Sequence, residues 1–130
     1  MTVNKTQVLY KGKQITLAQL MVILKKEFSK HIGEKNGVVI SDLLEKHFED
    51  YEEWSVWKKY TYIDIIKKCI SVIRRQGLCF IINKNGNYFV VKTQSEADYY
   101  KNILRKDIIG MSKSIIKADE WVKKEKWRDL

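Results

Sequence analysis

Residues 58–93 read KKYTYIDIIKKCISVIRRQG followed by LCFIINKNGNYFVVKT, and this stretch decides the fold. In the first part Tyr62, Ile63, Ile66, Cys69, Ile70 and Ile73 fall on one face at 100° per residue. Lys67, Lys68, Ser71, Arg74 and Arg75 gather opposite, together with Asp64. The spacing predicts an amphipathic helix beginning near Thr61, with Thr61 and Asp64 as a capping pair and Gly77 as its C-terminal stop. The second part predicts strands over 78–83 and 87–93 around Lys84-Asn85-Gly86, since Asn-Gly is a strong hairpin signal. Eight basic residues stand against one acid in these 36 positions, so helix and hairpin share a positive charge.

The charge around this block is unevenly placed. The 130-residue chain carries a formal +9, distributed as +5 over residues 1–36, −5 over 37–57, +7 over 58–93 and +2 over 94–130. An acidic run, Glu49, Asp50, Glu52 and Glu53, immediately precedes the basic block. It reads as a solvated loop, as a repulsive face that orients docking, or as a surface that imitates nucleic-acid charge or engages a basic protein partner. A face built only for solubility mixes signs, so the asymmetry argues for an oriented electrostatic surface.

Upstream, residues 6–15 read as a short extended arm with a turn at Lys11-Gly12-Lys13. Thr16 and Gln19 form a capping box for a helix whose stripe is Leu17, Leu20, Leu24 and Phe28. After the GEKNG break at 33–37, Val38-Val39-Ile40 is strand-sized, and Ser41 caps a short helix with Leu43, Leu44 and Phe48 inward. The connection EDYEEWSVWKKY is long enough for an extra helical turn that buries Trp54 and Trp57. Downstream, Ser95 caps a long helix to about Trp127, with Tyr100, Leu104, Ile108, Met111, Ile115, Ala118 and Val122 in steps of four and three. Gly110 interrupts this seam and predicts either a kink or two helices, at about 1 kcal/mol relative to alanine.

The order helix, short strand, helix, helix, hairpin over residues 15–93 resembles the winged helix-turn-helix fold. The segment after it, with Gly86, Tyr88, Phe89, Thr93, Ser95 and Glu96, resembles a wing strand leading through a cap into a basic helix, a type found in small phage-encoded proteins. The expected class is therefore α+β: three helices plus a β-hairpin wing over 1–93, and a helical extension over 94–130 that packs on the domain or dimerises. The resemblance implies double-stranded DNA as partner, for a phage or mobile-element regulator or accessory replication factor. The runner-up is a phage-encoded inhibitor, of anti-CRISPR or host-takeover type, that binds a host protein or ribonucleoprotein.

On that reading Lys58, Lys59, Thr61, Lys67, Lys68 and Ser71 meet phosphates or base edges in the major groove. Arg74 and Arg75 meet phosphate or cap the helix dipole, and Lys84, Asn85 and Asn87 reach the backbone or minor groove from the wing, unless Asn85-Gly86 serves only the turn. Trp121 and Trp127, with Leu104, Ile108 and Ile115, are the candidate protein-interface residues, including for a homodimer. Catalysis has no support: no Gly-rich phosphate loop, H-E-x-x-H or G-x-S-x-G is present. Cys69 and Cys79 lack C-x-x-C spacing, and His31 and His47 complete no zinc motif, so free thiols and no metal or other cofactor are expected. No signal-like or membrane-length apolar run is seen, which makes a cytoplasmic protein the expectation.

Overall fold

The computed structural model of the chain describes residues 7–77 and 79–129. Its elements run β1 (Gln7–Tyr10), β2 (Lys13–Thr16), α1 (Leu17–Phe28), α2 (Ile40–His47), α3 (Val56–Gln76), β3 (Ile81–Lys84), β4 (Asn87–Val90) and α4 (Gln94–Lys123). Short 3₁₀ turns lie at Glu34–Asn36, Tyr51–Glu53 and Lys126–Asp129. The chain divides into two compact units, Met1–Thr93 and Gln94–Leu130. The class is α+β, with two small antiparallel hairpins and a long C-terminal helix.

The first unit is organised by three amphipathic helices. The Thr16 hydroxyl accepts from the Gln19 amide (3.2 Å) and the Gln19 side chain accepts from the Thr16 amide (2.8 Å), the expected capping box. From there Leu17, Leu20, Leu24 and Phe28 run into the core. They meet Leu43 and Leu44 of α2 and the buried face of α3, formed by Ile66, Cys69, Ile70 and Ile73. Hairpin β3–β4 pairs Ile81 with Val90 and Lys84 with Asn87 across a two-residue loop. Asn85 and Gly86 both have positive φ (55° and 88°), the geometry that makes Asn-Gly favourable there. Both faces of the hairpin are buried, with Ile81 and Tyr88 to one side and Ile82 and Phe89 to the other.

Several sequence expectations need correction. The N-terminal arm is a hairpin: β1 pairs with β2 through a turn in which Lys11 and Gly12 have positive φ. Val38 makes only a two-bond bridge to Tyr88, and Ile40 already belongs to α2. Ser41 therefore lies inside α2, whose N-cap is Val39 with no side-chain bond. Helix α3 starts five residues earlier than Thr61, because the Ser55 hydroxyl accepts from the Lys58 amide (3.1 Å) and caps it there. The hairpin strands are shorter than predicted, and Leu78, the expected first residue of the first strand, lies outside the described residues. Helix α4 runs unbroken through Gly110 and takes in Ser95, and the predicted end at Trp127 falls in the 3₁₀ turn beyond it.

One polar group is drawn into this core. Glu27 is 3% exposed, and its carboxylate accepts from His31 Nε2 (2.7 Å), His47 Nε2 (2.7 Å) and Lys46 Nζ (2.9 Å). His31 Nδ1 faces the Asn36 carbonyl at 2.8 Å and His47 Nδ1 faces the Tyr10 hydroxyl at 3.3 Å. A buried carboxylate is tolerated only when its lone pairs are matched, and here α2 supplies two partners and the turn after α1 the third. Burial by itself raises the Glu27 pKa, but the bonds from Lys46, His31 and His47 outweigh it and hold the group at about 2.

Candidate nucleic-acid interface

The outer face of α3 is built by the same period that buries its inner face. Starting the helix at Val56 places Trp57, Thr61, Asp64, Lys68, Ser71 and Arg75 in one stripe, with Tyr60 and Lys67 beside it. Thr61, Lys67, Lys68 and Arg75 are exposed and Ser71 is half-buried. The Thr61 hydroxyl donates to the Trp57 carbonyl (2.9 Å), and Arg75 Nε makes a long bond to the Ser71 carbonyl (3.4 Å). Lys67, Lys68 and Arg75 therefore carry the charge of this face, with Asp64 its single acid.

Trp57 was expected in the core with Trp54, and the structure separates them. Trp54 packs in an aromatic cluster with Tyr62 (centroids 4.6 Å), Tyr51 (5.5 Å) and Phe48 (5.7 Å). Trp57 is 81% exposed and Tyr60 59% exposed, so two aromatics stand among the cations of α3. The missed signal was Ser55: with the helix capped there, Trp57 lies five full turns before Arg75 and on its side.

The remaining predicted contacts are placed differently. Lys58 Nζ sits 4.6 Å from the centre of the Trp54 ring and Lys59 Nζ 4.7 Å from that of Tyr51, cation–π contacts that turn both toward the aromatic cluster. Arg74 donates to the Ile81 carbonyl (2.9 Å) and ties the end of α3 to β3. In the hairpin, Lys84 pairs with Glu34 (3.1 Å) and the Asn87 amide donates to the Glu34 carbonyl (3.1 Å). A Cβ on Gly37 would overlap that Asn87 amide, so Gly37 is what lets the hairpin lie this close. Asn85 is exposed at the hairpin tip in the left-handed region. The structure thus brings Thr61, Lys67, Lys68, Ser71 and Arg75 together on one surface and engages Lys58, Lys59, Arg74, Lys84 and Asn87 in contacts within the fold.

The other chemistry-bearing residues are quiet. Burial lifts the Cys69 thiol to about 11 and raises that of Cys79, which keeps both protonated near neutral pH. Among the described residues, no cluster of histidine, cysteine and carboxylate side chains is arranged to hold a metal ion, and no helix is long and apolar enough to cross a membrane. Trp121 and Trp127 are both exposed, as are Leu104, Ile108 and Ile115 of α4. No family model, curated protein or solved structure matches this chain.

Proposed function

We propose that the first unit is a winged helix that binds double-stranded DNA, with α3 in the major groove and the β3–β4 hairpin against the backbone. One observation carries this reading: Lys67, Lys68 and Arg75 project from one exposed helical face with a single acid among them. The element order supports it, as does the Val38–Tyr88 bridge, which lays a third strand-like segment beside the hairpin. Lys67, Lys68 and Arg75 supply phosphate contacts. Ser71 and Asp64 offer hydrogen-bonding groups to base edges, and Trp57 and Tyr60 offer apolar contact to a thymine methyl. Asn85, exposed at the tip, is the wing's contribution, while Lys84 and Asn87 are held by Glu34 and shape the hairpin. Gene control or accessory replication in a phage or mobile element is the role this chemistry suits.

The test is a double charge reversal. Lys67→Glu with Lys68→Glu removes two cations and adds two anions on an exposed surface, so the fold stays intact while duplex affinity is lost. Retained duplex affinity with an unchanged circular-dichroism spectrum contradicts the assignment of this face.

A second reading rests on the exposed pair Trp57 and Tyr60. Aromatics flanked by cations also form the anchors of protein interfaces. An inhibitor that binds a host protein or ribonucleoprotein would use the same surface. In that case duplex binding is absent at low salt, and Trp57→Ala releases a co-purifying protein.

A further inference from the structure

We propose that α4 is one half of an antiparallel two-helix dimer, with Arg105 of each chain facing the partner's Asp119. This stands independently of duplex binding. Along the 30 residues of α4 no described residue is buried, and Leu104, Ile108, Met111, Ile115 and Val122 are all exposed. With Ala118 they follow steps of four and three, the 3.5 period of a two-helix seam, while Ile109 and Ile116 stand exposed on another side of the helix. Ile108, Ile115 and Val122 take the first apolar position of each heptad, and Leu104, Met111 and Ala118 the second.

Charge then selects the direction. In a parallel pair each layer meets itself, so Lys101 stands opposite the partner's Lys101 and Ala118 opposite the partner's Ala118. The first repels and the second leaves a thin layer. In an antiparallel pair with its twofold axis level with Lys113, Leu104 meets the partner's Val122. Ile108 meets the partner's Ala118, and Met111 meets the partner's Ile115. Ile108 thus covers Ala118, and the other two layers pair apolar side chains of similar size.

On the flank, Arg105 and Asp119 stand seven residues to either side of Ser112. The twofold axis therefore makes the Arg105 pair twice, while Ser112 and Ser114 approach their own copies without like charges. Lys101 comes level with the turn that carries the partner's Glu125, opposite in sign. The competing contacts within one chain, Arg105 donating to Asn102 (3.3 Å), Lys101 with Asp98 (3.4 Å) and Glu125 with Arg128 (3.2 Å), are exposed and yield readily. A lipid surface or an unrelated protein asks for no such symmetry about the helix centre; a second copy does.

Sedimentation equilibrium of the full chain tests this. Wild type is expected as a dimer, with Arg105→Glu and Asp119→Arg each weakening self-association on the order of tenfold. The double reversal restores it to within about threefold. Fourteen residues put the two positions about 21 Å apart along one helix, so rescue arises only between chains. Under oxidation in a Cys79→Ser background, which removes the half-buried native thiol, Leu104→Cys and Val122→Cys chains cross-link when mixed, whereas Leu104→Cys alone cross-links only in a parallel pair. A chain that remains monomeric at about 100 μM overturns the proposal. So does a dimer indifferent to the reversals or one that the double reversal fails to rescue.

Discussion

Replacing Glu27 by glutamine changes one oxygen to nitrogen at the centre of the polar network that joins α1 to α2. The amide keeps the shape and can still bond to His31, His47 and Lys46, but it mimics the protonated acid rather than the carboxylate. The magnitude follows from the pKa, which lies at about 2 in the folded chain against 4.5 for an unperturbed glutamate. A displacement of that size corresponds to roughly 3 kcal/mol in favour of the charged form. Because the folded value is the lower one, this stabilisation is fully present above pH 4.5 and is lost as pH falls towards 2. Urea denaturation of wild type and Glu27→Gln, followed by tryptophan fluorescence at pH 7 and again near pH 3, reads the difference directly. The variant should be about 3 kcal/mol less stable at pH 7, and the gap should shrink by more than half at the lower pH. Buried ion pairs often only offset their own desolvation. A difference below about 0.5 kcal/mol at pH 7 would show that this network is such a case and refute the reasoning.

Two further outcomes follow from α3. Ser55→Ala removes the side-chain cap at the Lys58 amide (3.1 Å) and should lower stability by about 1 kcal/mol, seen as a shift of several degrees in the thermal midpoint. An unchanged midpoint would return the helix start to Thr61. Trp57→Ala, at a side chain 81% exposed, should leave the melting temperature within about 2 °C while weakening the proposed ligand contact, measured by fluorescence anisotropy with labelled duplex.

The parts legible in the sequence are those governed by local chemistry. Thr16 and Gln19 announce the start of α1 because a capping box closes within four residues. Ile66, Cys69, Ile70 and Ile73 reveal the buried side of α3 because helical period and burial coincide. Asn85-Gly86 marks the hairpin because its backbone needs two positive φ angles. What stayed hidden depends on distant partners or on competing local signals. Both Ser55 and Thr61 are competent caps, and choosing the later one moved Trp57 from an exposed stripe into an imagined core. Glu27 sits among lysines in the sequence like any surface charge, and its partner His47 lies 20 residues away on another helix. Lys58 and Lys59 read as free cations until Trp54 and Tyr51 are folded beneath them. Val38 makes its bridge to Tyr88, 50 residues on, and no local pattern separates that single residue from a full strand.

The central claim is that the outer face of α3 neutralises DNA phosphates. Its most direct test is the affinity of the full chain for random-sequence duplex measured across a salt series. Three neutralised phosphates, one each for Lys67, Lys68 and Arg75, predict that log K falls against log salt with a slope of about −3. The Lys67→Glu, Lys68→Glu pair should abolish binding across the same series. No detectable binding at the lowest salt, or an affinity indifferent to salt, contradicts the claim.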